Sequence, residues 1–310
     1  MIKEIISVAM PLNERLMIRK NSISSGESPR RVCVVTGTHG DELEGQYVCF
    51  KLANLLRDNM DKLNGTVEIY PALNPLGIDT ISRGIPGFDL DMNRIFPGDP
   101  DGVMAESVAH AILEDLKGAD MVIDIHSSNI FLREMPQIRI SVGDAERLVP
   151  QAQILGVDFI WVHEAATVLE ATLAHSLNST GTPCLVVEMG VGMRINRRMG
   201  DTLVEGILNM LASLNMWSGD VDRSCLAEGI ISEGDKVSFL NAEASGVFLT
   251  SHKTSQIVKE GEVLGRIVDP LSGDTLHTVT SPVDGYLFTL RAYPVVYDGS
   301  LLARIHKGAF

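Results

Sequence analysis

Apolar and polar positions along the chain predict strands and helices in alternation. From residue 32 to residue 214, short apolar runs rich in β-branched residues alternate with segments whose apolar residues recur every three or four positions. This pattern is typical of an α/β fold in which helices cover a mixed, mostly parallel sheet. Residues 2–26 alternate more loosely and predict two short leading strands. The predicted strands span residues 32–36, 66–71, 119–128, 137–142, 158–162 and 182–187, and the predicted helices span 41–59, 104–117, 145–155, 168–177 and 203–214.

One long segment lacks this periodicity. Residues 74–102 contain five Gly and four Pro, together with a polar cluster that includes Asp91, Asn93 and Arg94. A structureless segment of this length is uncommon in a compact domain unless it has a function. We therefore expect it to form part of a binding site.

The pattern changes again after residue 219. Short apolar stretches separated by Gly and Pro turns, without helical periodicity, predict a small all-β domain over residues 222–310, following an α/β domain over residues 1–221. Residues 258–267 and 281–287 resemble the strand and turn repeats of biotinyl or lipoyl carrier domains, which have a barrel-sandwich fold. Lys253 lacks the flanking residues expected of a carrier lysine, so we expect a packing or lid domain.

Composition excludes several classes of function. The 310 residues carry a formal net charge of -14, which argues against nucleic acid or an anionic membrane as partner. No apolar run approaches the roughly 18 to 20 residues that cross a bilayer, and the N-terminus lacks a signal-peptide pattern, so we expect a cytoplasmic protein. The sequence leaves open whether the chain forms a homo-oligomer. The four scattered cysteines indicate neither disulfides nor a thiolate zinc site; they are Cys33, Cys49, Cys184 and Cys225.

Three chemically active side chains follow predicted strands. His39 and Glu42 come directly after the first strand of the alternating region, and His126 ends the strand over residues 119–128. The carboxyl ends of parallel strands meet at one edge of a sheet, so these residues can converge. Two imidazoles and one carboxylate leave zinc an open position, as in catalytic sites. Taken alone, the first pair is more typical of a turn histidine and an acid at a helix start.

A fourth strand end carries an acid. Glu188 follows the apolar run over residues 182–187, where burial would raise the pKa of its carboxyl and suit it to proton transfer. The alternative is an ion pair with Arg194 or Arg197. Asp124, two positions before His126, could orient that imidazole or cap a neighbouring helix.

These motifs together resemble one family. Gly-x-His39-Gly-Asp-Glu42, Asn93-Arg94, Asp124-Ile-His126 and Val187-Glu188, followed by a β-rich C-terminal region, resemble the succinylglutamate desuccinylase and aspartoacylase family, relatives of zinc carboxypeptidases. The resemblance implies a zinc carboxypeptidase-like catalytic domain that binds one Zn²⁺ per chain. It implies His39, Glu42 and His126 as metal ligands, Glu188 as general base and acid, and Asn93 with Arg94 as a clamp for a substrate carboxylate.

Further arginines are candidates for substrate contacts. Arg83 is the candidate to polarise the scissile carbonyl, although the interval between Arg83 and the clamp is longer than in the aspartoacylase pattern, with residues 84–87 inserted. Arg133 and Arg139 could contact the other end of the substrate or form a solvated surface. A tyrosine of the β domain, either Tyr293 or Tyr297, could enter the site or simply pack.

The expected function is therefore zinc-dependent hydrolysis of a linear amide. The chain would remove a small acyl group from an N-acyl amino acid, with Glu188 taking a proton from water and returning it to the leaving amine. Succinylglutamate, N-acetylaspartate and N-acetyl-diaminobutyrate all suit a relative of this kind, and the sequence does not choose between them. The alternatives are a zinc carboxypeptidase acting on small peptides and a carboxylate-binding protein without catalysis.

Overall fold

A large mixed sheet forms the centre of the molecule. The computed structural model describes residues 1–88, 90–164 and 170–308. Within this part of the chain, thirteen strands form one sheet and four strands form a second, smaller sheet. The strands are β1 (Ile2–Ala9), β2 (Arg15–Ser25), β3 (Arg31–Thr36), β4 (Gly65–Tyr70), β5 (Met121–Ser127), β6 (Leu132–Ser141), β7 (Phe159–His163), β8 (Cys184–Gly190), β9 (Ile230–Ser232), β10 (Val237–Asn241), β11 (Gly246–Leu249), β12 (Gln256–Val258), β13 (Val263–Val268), β14 (Thr275–Thr280), β15 (Gly285–Arg291), β16 (Val295–Val296) and β17 (Leu301–Lys307).

Helices cover the central strands. Among the described residues, none of the helices is both long and apolar enough to cross a membrane. The α-helices are α1 (Glu44–Asp58), α2 (Pro75–Thr80), α3 (Met104–Leu116), α4 (Ala145–Leu155), α5 (Leu173–Ser179) and α6 (Arg197–Ser213).

The centre of the large sheet is parallel, and the strands directly on either side of it run antiparallel to it. β4, β3, β5 and β8 lie side by side in that order, and each contact between them is parallel. β2 pairs with β4, and β6 pairs with β8, in the antiparallel direction. The predicted mixed, helix-covered α/β sheet with a strand-rich C-terminal region is thus confirmed.

Both faces of the central strands are buried. In β3, Val32 and Val34 pack with apolar residues of α1, α4 and α6, whereas Cys33 and Val35 pack with apolar residues of α3 and α5. Because helices cover each face, β3 is apolar at successive positions rather than at alternate ones. The parallel strands end at one edge, and the candidate residues lie at that edge.

The C-terminal strands continue the large sheet. β15 pairs with β6, with Thr289 opposite Glu134, and β17 and β10 follow beyond β15. The smaller sheet has the order β14, β13, β11 and β16. The C-terminal strands also have an apolar core that includes Phe248, Leu287 and Ile305. The boundary at residues 221 and 222 remains a prediction, but hydrogen bonds join the two regions across β6 and β15.

Some element boundaries differ from the predictions. α1 begins at Glu44 rather than at residue 41, because the preceding residues form the turn that carries His39 and Glu42. The segment 74–102 contains α2 and a 3-10 turn over Met92–Arg94, so it is not wholly irregular. The helix predicted over 168–177 is seen as α5; residues 168 and 169 lie outside the described residues.

Candidate active site

The turn after β3 places two candidate ligands. Gly37 adopts a φ of 71°, in the left-handed region that favours glycine, and so turns the chain out of the strand. The backbone N–H of Gly40 donates to the carbonyl oxygen of Ser82 at 2.9 Å, which fixes the turn against the segment after α2. His39 and Glu42 are both buried, and His39 Nδ1 lies 2.8 Å from Glu42 Oε1.

The end of β5 completes this group. His126 Nδ1 lies 2.9 Å from Glu42 Oε2, and the backbone N–H of Ser127 donates to the same oxygen at 3.1 Å. The centroids of the two imidazole rings are 5.1 Å apart. One potential ligand atom from each of His39, Glu42 and His126 lies within 4.8 Å of the others. The structure therefore brings together the three residues predicted to bind metal.

A carboxylate faces the second nitrogen of each imidazole. His39 Nε2 lies 2.9 Å from Asp91 Oδ1, and His126 Nε2 lies 3.2 Å from Asp124 Oδ2. Asp124 and His126 are two positions apart on β5, so their side chains share one face of the strand. Of the two roles considered for Asp124, orienting the imidazole matches this contact.

Charge pairing dominates the electrostatics of this group. Burial alone would raise the pKa of Glu42, but the two histidines lower it well below its usual range. Burial alone would lower the pKa of His126, but Asp124 and Glu42 raise it well above its ordinary value. The pKa of His39 is likewise raised, by Asp91 and Glu42 against the effect of burial. The cluster is thus a set of compensating charges in a buried place.

Arg83 lies at the rim of the cluster. Its Nη1 donates to Glu42 Oε1 at 3.1 Å, and its Nη2 lies 3.1 Å from Asp91 Oδ2. The side chain is 43% exposed, so part of the guanidinium faces solvent. The insertion at residues 84–87 does not remove Arg83 from the site.

Glu188 lies beside His126. The two residues are direct partners in the pairing of β5 with β8. Burial raises the pKa of the Glu188 carboxyl to about 7, although Arg139 opposes this effect. Arg139 Nη1 lies 3.2 Å from Glu188 Oε1, so the ion pair is with Arg139 rather than with Arg194 or Arg197.

The candidate residues share one cavity, here called the site cavity, of about 420 Å³. It extends from the histidine cluster toward β6, α5 and the C-terminal strands. Asn93 and Arg94 line it, and the Asn93 side-chain oxygen accepts from the backbone N–H of Leu173 at 2.9 Å. The predicted residues that line the site cavity are His39, Glu42, Arg83, Asn93, Arg94, His126, Arg139 and Glu188.

Arg133 is separated from this group. The pairing of β6 with β8 is irregular between Glu134 and Gln137, so the alternation of side chains shifts at that point. Glu134 and Arg139 consequently face the site cavity together, although five positions apart. Arg133, the neighbour of Glu134, is exposed and lines a different groove. Of the two possibilities considered for Arg133, the solvated surface matches its position, whereas Arg139 lines the site cavity.

The two tyrosines lie outside the site cavity. Tyr293 is 47% exposed, and its ring stacks edge-on against Phe131 with centroids 5.8 Å apart. Tyr297 is 73% exposed. The C-terminal region instead contributes Arg304 of β17 to the cavity lining. Packing is therefore the observed arrangement for Tyr293.

Sequence reasoning did not select three charged residues of this site. Asp91 lies in the polar cluster noted in the segment 74–102. Its position two residues before Asn93 is the sequence feature that could have identified it as a site residue. Glu134 and Arg304 carry no local motif, because they meet only through the pairing of β6 with the C-terminal strands. A single sequence does not reveal that pairing.

Comparison with known proteins relates the chain to hydrolases. A family model for the succinylglutamate desuccinylase/aspartoacylase catalytic domain matches residues 28–214. The N-α-acetyl-L-2,4-diaminobutyric acid deacetylase of Halomonas elongata is 27% identical over 260 residues, which cover 82% of this chain and 75% of that protein.

Solved structures share the fold. A succinylglutamate desuccinylase/aspartoacylase from Rhodobacter sphaeroides gives a TM-score of 0.82 at 24% identity, covering 98% of this chain and 94% of that chain. A metallo-carboxypeptidase from Burkholderia cenocepacia gives a TM-score of 0.54 at 14% identity, covering 69% and 65%. The carboxypeptidase-like architecture is thus confirmed. Since the family model matches more than half of the sequence, the chain belongs to the succinylglutamate desuccinylase/aspartoacylase family.

Proposed function

We propose that this protein is a zinc-dependent hydrolase that removes a small acyl group from an N-acyl amino acid. The observation that carries this proposal is the convergence of His39, Glu42 and His126 on the wall of a cavity that also contains Glu188. Family membership and the deacetylase from Halomonas elongata support it. A small-molecule substrate and a cytoplasmic location belong to the same proposal.

The ligand set suits one zinc ion. Two imidazole nitrogens and one carboxylate are the donors of catalytic zinc sites, and all three residues are buried. Both Nδ1 atoms face Glu42, while Asp91 and Asp124 face the Nε2 atoms, as expected for carboxylates that orient imidazole ligands. Zinc bound there would act as a Lewis acid and lower the pKa of a water molecule.

Glu188 is the proposed proton carrier. A carboxyl whose pKa lies at about 7 is ionised in part of the population near neutral pH, so it can accept a proton and later donate it. We assign it the transfer of a proton from the attacking water to the leaving amine. We assign polarisation of the amide carbonyl to Arg83, which contacts Glu42 and remains partly exposed.

Asn93 and Arg94 are proposed to bind the substrate carboxylate. Arg94 is exposed and lines the site cavity, and one of its Nη atoms donates to the Asn93 carbonyl oxygen at 2.6 Å. Its remaining donors are available for a carboxylate, which a guanidinium can bind through two parallel hydrogen bonds. Arg139 does not share this role in the proposal, because protein carboxylates engage both of its terminal nitrogens.

The dimensions of the site favour a small substrate. A cavity of about 420 Å³ lies at the lower end of the range for small-molecule sites. The C-terminal strands form part of its wall through Arg304. A carboxypeptidase would need room for a longer chain, so the deacylase is preferred to the peptidase. A binding protein without catalysis would have no use for Glu188.

The test combines metal analysis with a substrate panel. We expect about one zinc per chain and amine release from a member of a panel of N-acetyl, N-succinyl and N-formyl amino acids, with less release from dipeptides. Glu188→Gln should keep its zinc and lose at least about 100-fold in kcat, since proton transfer contributes 10² to 10⁴. Glu228→Gln, at an exposed position outside the site, is the control.

Three outcomes would count against the proposal. A protein that contains no zinc and gains no activity when zinc is added would not be a zinc hydrolase. Unchanged turnover in Glu188→Gln would remove Glu188 from the reaction. Faster hydrolysis of dipeptides than of acyl amino acids would favour the carboxypeptidase.

A further inference from the structure

A chain of alternating charges connects Glu188 with the C-terminal strands. Arg139 Nη1 lies 3.2 Å from Glu188 Oε1, and Arg139 Nη2 donates to both carboxylate oxygens of Glu134 at 2.9 Å. Arg304 Nη1 donates to Glu134 Oε1 at 2.5 Å. Glu134 therefore holds two arginines, one of which also contacts Glu188.

Glu134 is a buried charge with several partners. Its side chain is 1% exposed, and the Thr289 hydroxyl donates to its Oε1 at 3.3 Å. Cations and hydrogen-bond donors around a buried carboxylate offset the cost of removing it from water. The three donors come from β6, β15 and β17, so pairing of the C-terminal strands with β6 assembles this environment.

The contacts of Arg139 are divided unequally. Both carboxylate oxygens of Glu134 accept from Arg139 Nη2, whereas Glu188 contacts only Arg139 Nη1. An arginine and a carboxylate prefer two parallel hydrogen bonds when no other acceptor competes. Without Glu134, Arg139 would be free to turn both nitrogens toward Glu188. Such a pair would hold the Glu188 carboxylate on the protein wall.

One indole ring lies against both guanidinium groups. The guanidinium carbon of Arg139 lies 5.8 Å from the centroid of the Trp161 ring, and that of Arg304 lies 5.4 Å from it. These distances are within the range of cation–π contacts. The ring restricts how the two arginines can rearrange around Glu134.

We propose that Glu134 is a positioning residue that limits Arg139 to a single contact with Glu188 and thereby keeps the Glu188 carboxylate turned toward the site cavity. Thr289 and Arg304 hold Glu134, so the C-terminal strands take part in arranging the proposed proton carrier. Of this inference, only the role of Glu188 as proton carrier rests on the proposed function. The geometry of the charge chain can be tested without turnover.

The first test is structural and uses Glu134→Gln in the metal-free protein with all 310 residues. The substitution keeps the shape of the side chain and removes its charge. We expect the crystal structure of the variant to show two nitrogens of Arg139 within about 3.2 Å of Glu188 oxygens, instead of the single contact. If Arg139 keeps one contact in the variant, the proposal is overturned, whether or not the protein is a deacylase.

The second test is kinetic and has a matched control. Glu68 is also a buried carboxylate held by two cations, Lys20 and Arg31, but it lies outside the site cavity. We expect Glu134→Gln to lower kcat at least about tenfold, with KM and zinc content within about twofold of wild type. Glu68→Gln should leave kcat of the folded protein unchanged. Equal losses in both variants would show that Glu134 has only a structural role.

A double substitution tests whether Glu134 acts through Arg139. In an Arg139→Met background, Glu134→Gln should lower kcat no further, because Arg139, through which Glu134 would act, is already absent. Additive losses would overturn the proposal. If Glu134→Gln does not fold, Glu134→Asp keeps the charge on a shorter side chain, and the same changes are expected in the contacts of Arg139 and in kcat.

Failure of the proposed function gives a different result. A wild-type protein that turns over no substrate of the panel would refute the deacylase, while the crystal structures would still decide the role of Glu134. Turnover by the wild type together with an unchanged Arg139 in Glu134→Gln would refute only the positioning role.

Discussion

At the scale of single residues, the candidate metal ligands are held from two sides. Each imidazole presents Nδ1 to Glu42, and a different carboxylate faces each Nε2: Asp91 for His39 and Asp124 for His126. A carboxylate in this position fixes the orientation of the ring and increases its basicity toward a metal. Asp91 and Asp124 should therefore influence metal affinity without binding the metal.

This arrangement predicts that Asp91→Asn and Asp124→Asn each weaken zinc binding about 10- to 100-fold. An amide keeps the size of the side chain but lacks the negative charge that favours the bound imidazole. Competition with a chromogenic zinc chelator would measure the affinity. Asp120→Asn is the control, because Asp120 contacts Arg30 and the backbone of Arg31 rather than a histidine. Wild-type affinity in both site variants would contradict the prediction.

Some residues of the site could be identified from the sequence and others could not. His39, Glu42, His126 and Glu188 could be selected because each follows a recognisable buried strand, and the parallel sheet brings such strand ends together. Glu134 could not be selected, since Thr289 and Arg304 are distant from it in the chain and meet it only after the C-terminal strands have paired with β6. The spacing of residues along the chain identifies side chains at strand ends, but it does not show which distant strands pair.

At the scale of elements, a second group of buried charges joins strands to a helix. Lys20 of β2 and Arg31 of β3 each place a nitrogen 2.9 Å from Glu68 Oε2, on β4. Lys20 also lies 2.7 Å from Asp115 of α3. Burial would raise the pKa of Glu68, but hydrogen bonds from Lys20 and Arg31 lower it. The charge of Glu68 therefore stabilises the packing of these elements.

The stabilisation by Glu68 should depend on pH. Because the pKa of Glu68 is lower in the folded chain, its contribution is present above the unfolded value of about 4.3 and is lost as the pH falls through the folded value. We expect Glu68→Gln to reduce the free energy of unfolding by about 1 to 3 kcal/mol at pH 7, since Lys20 and Arg31 each lose one charged hydrogen-bond partner while Lys20 keeps Asp115.

Urea unfolding of wild type and Glu68→Gln at pH 7 and at lower pH would measure this difference. The difference in the free energy of unfolding should decrease as the pH falls below about 4.3. Glu228→Gln, at an exposed position, should match wild type at each pH. A difference that stays constant from pH 7 to pH 3 would show that the ionisation of Glu68 does not contribute.

The elements themselves were largely predictable, with failures where tertiary contacts override local pattern. α4 begins and ends at the predicted residues, because its apolar periodicity is uninterrupted. β6 begins at Leu132 rather than at residue 137, since an irregularity near Pro136 breaks the alternation that identifies a strand. The same irregularity separates Arg133 from Arg139. In a regular strand, Arg133 and Arg139 would lie on the same face, because they are an even number of positions apart.

At the scale of the whole molecule, five of the described C-terminal strands extend the large sheet, namely β9, β10, β12, β15 and β17. Pattern alone predicts a separate β domain, because it detects the change from helices to short strands but not the pairing between distant strands. β15 pairs with β6, and Phe288 of β15 stacks on Phe159 of β7 with centroids 4.4 Å apart. We expect from these contacts that the two regions unfold together.

The two tryptophans of the chain can test this coupling. Trp161 lies at the junction, near Phe288 of β15 and Arg304 of β17, whereas Trp217 belongs to the apolar core under α6. Trp217→Phe and Trp161→Phe each leave one tryptophan, whose fluorescence reports on one region. For each variant, the urea midpoint of the fluorescence change is compared with the midpoint of the far-UV circular dichroism change. We expect the two midpoints to coincide in both variants. A Trp161 transition at lower urea than the loss of helix would mean that the C-terminal strands separate first, and Glu134 would then lose Arg304 and Thr289 while the α/β core remained folded.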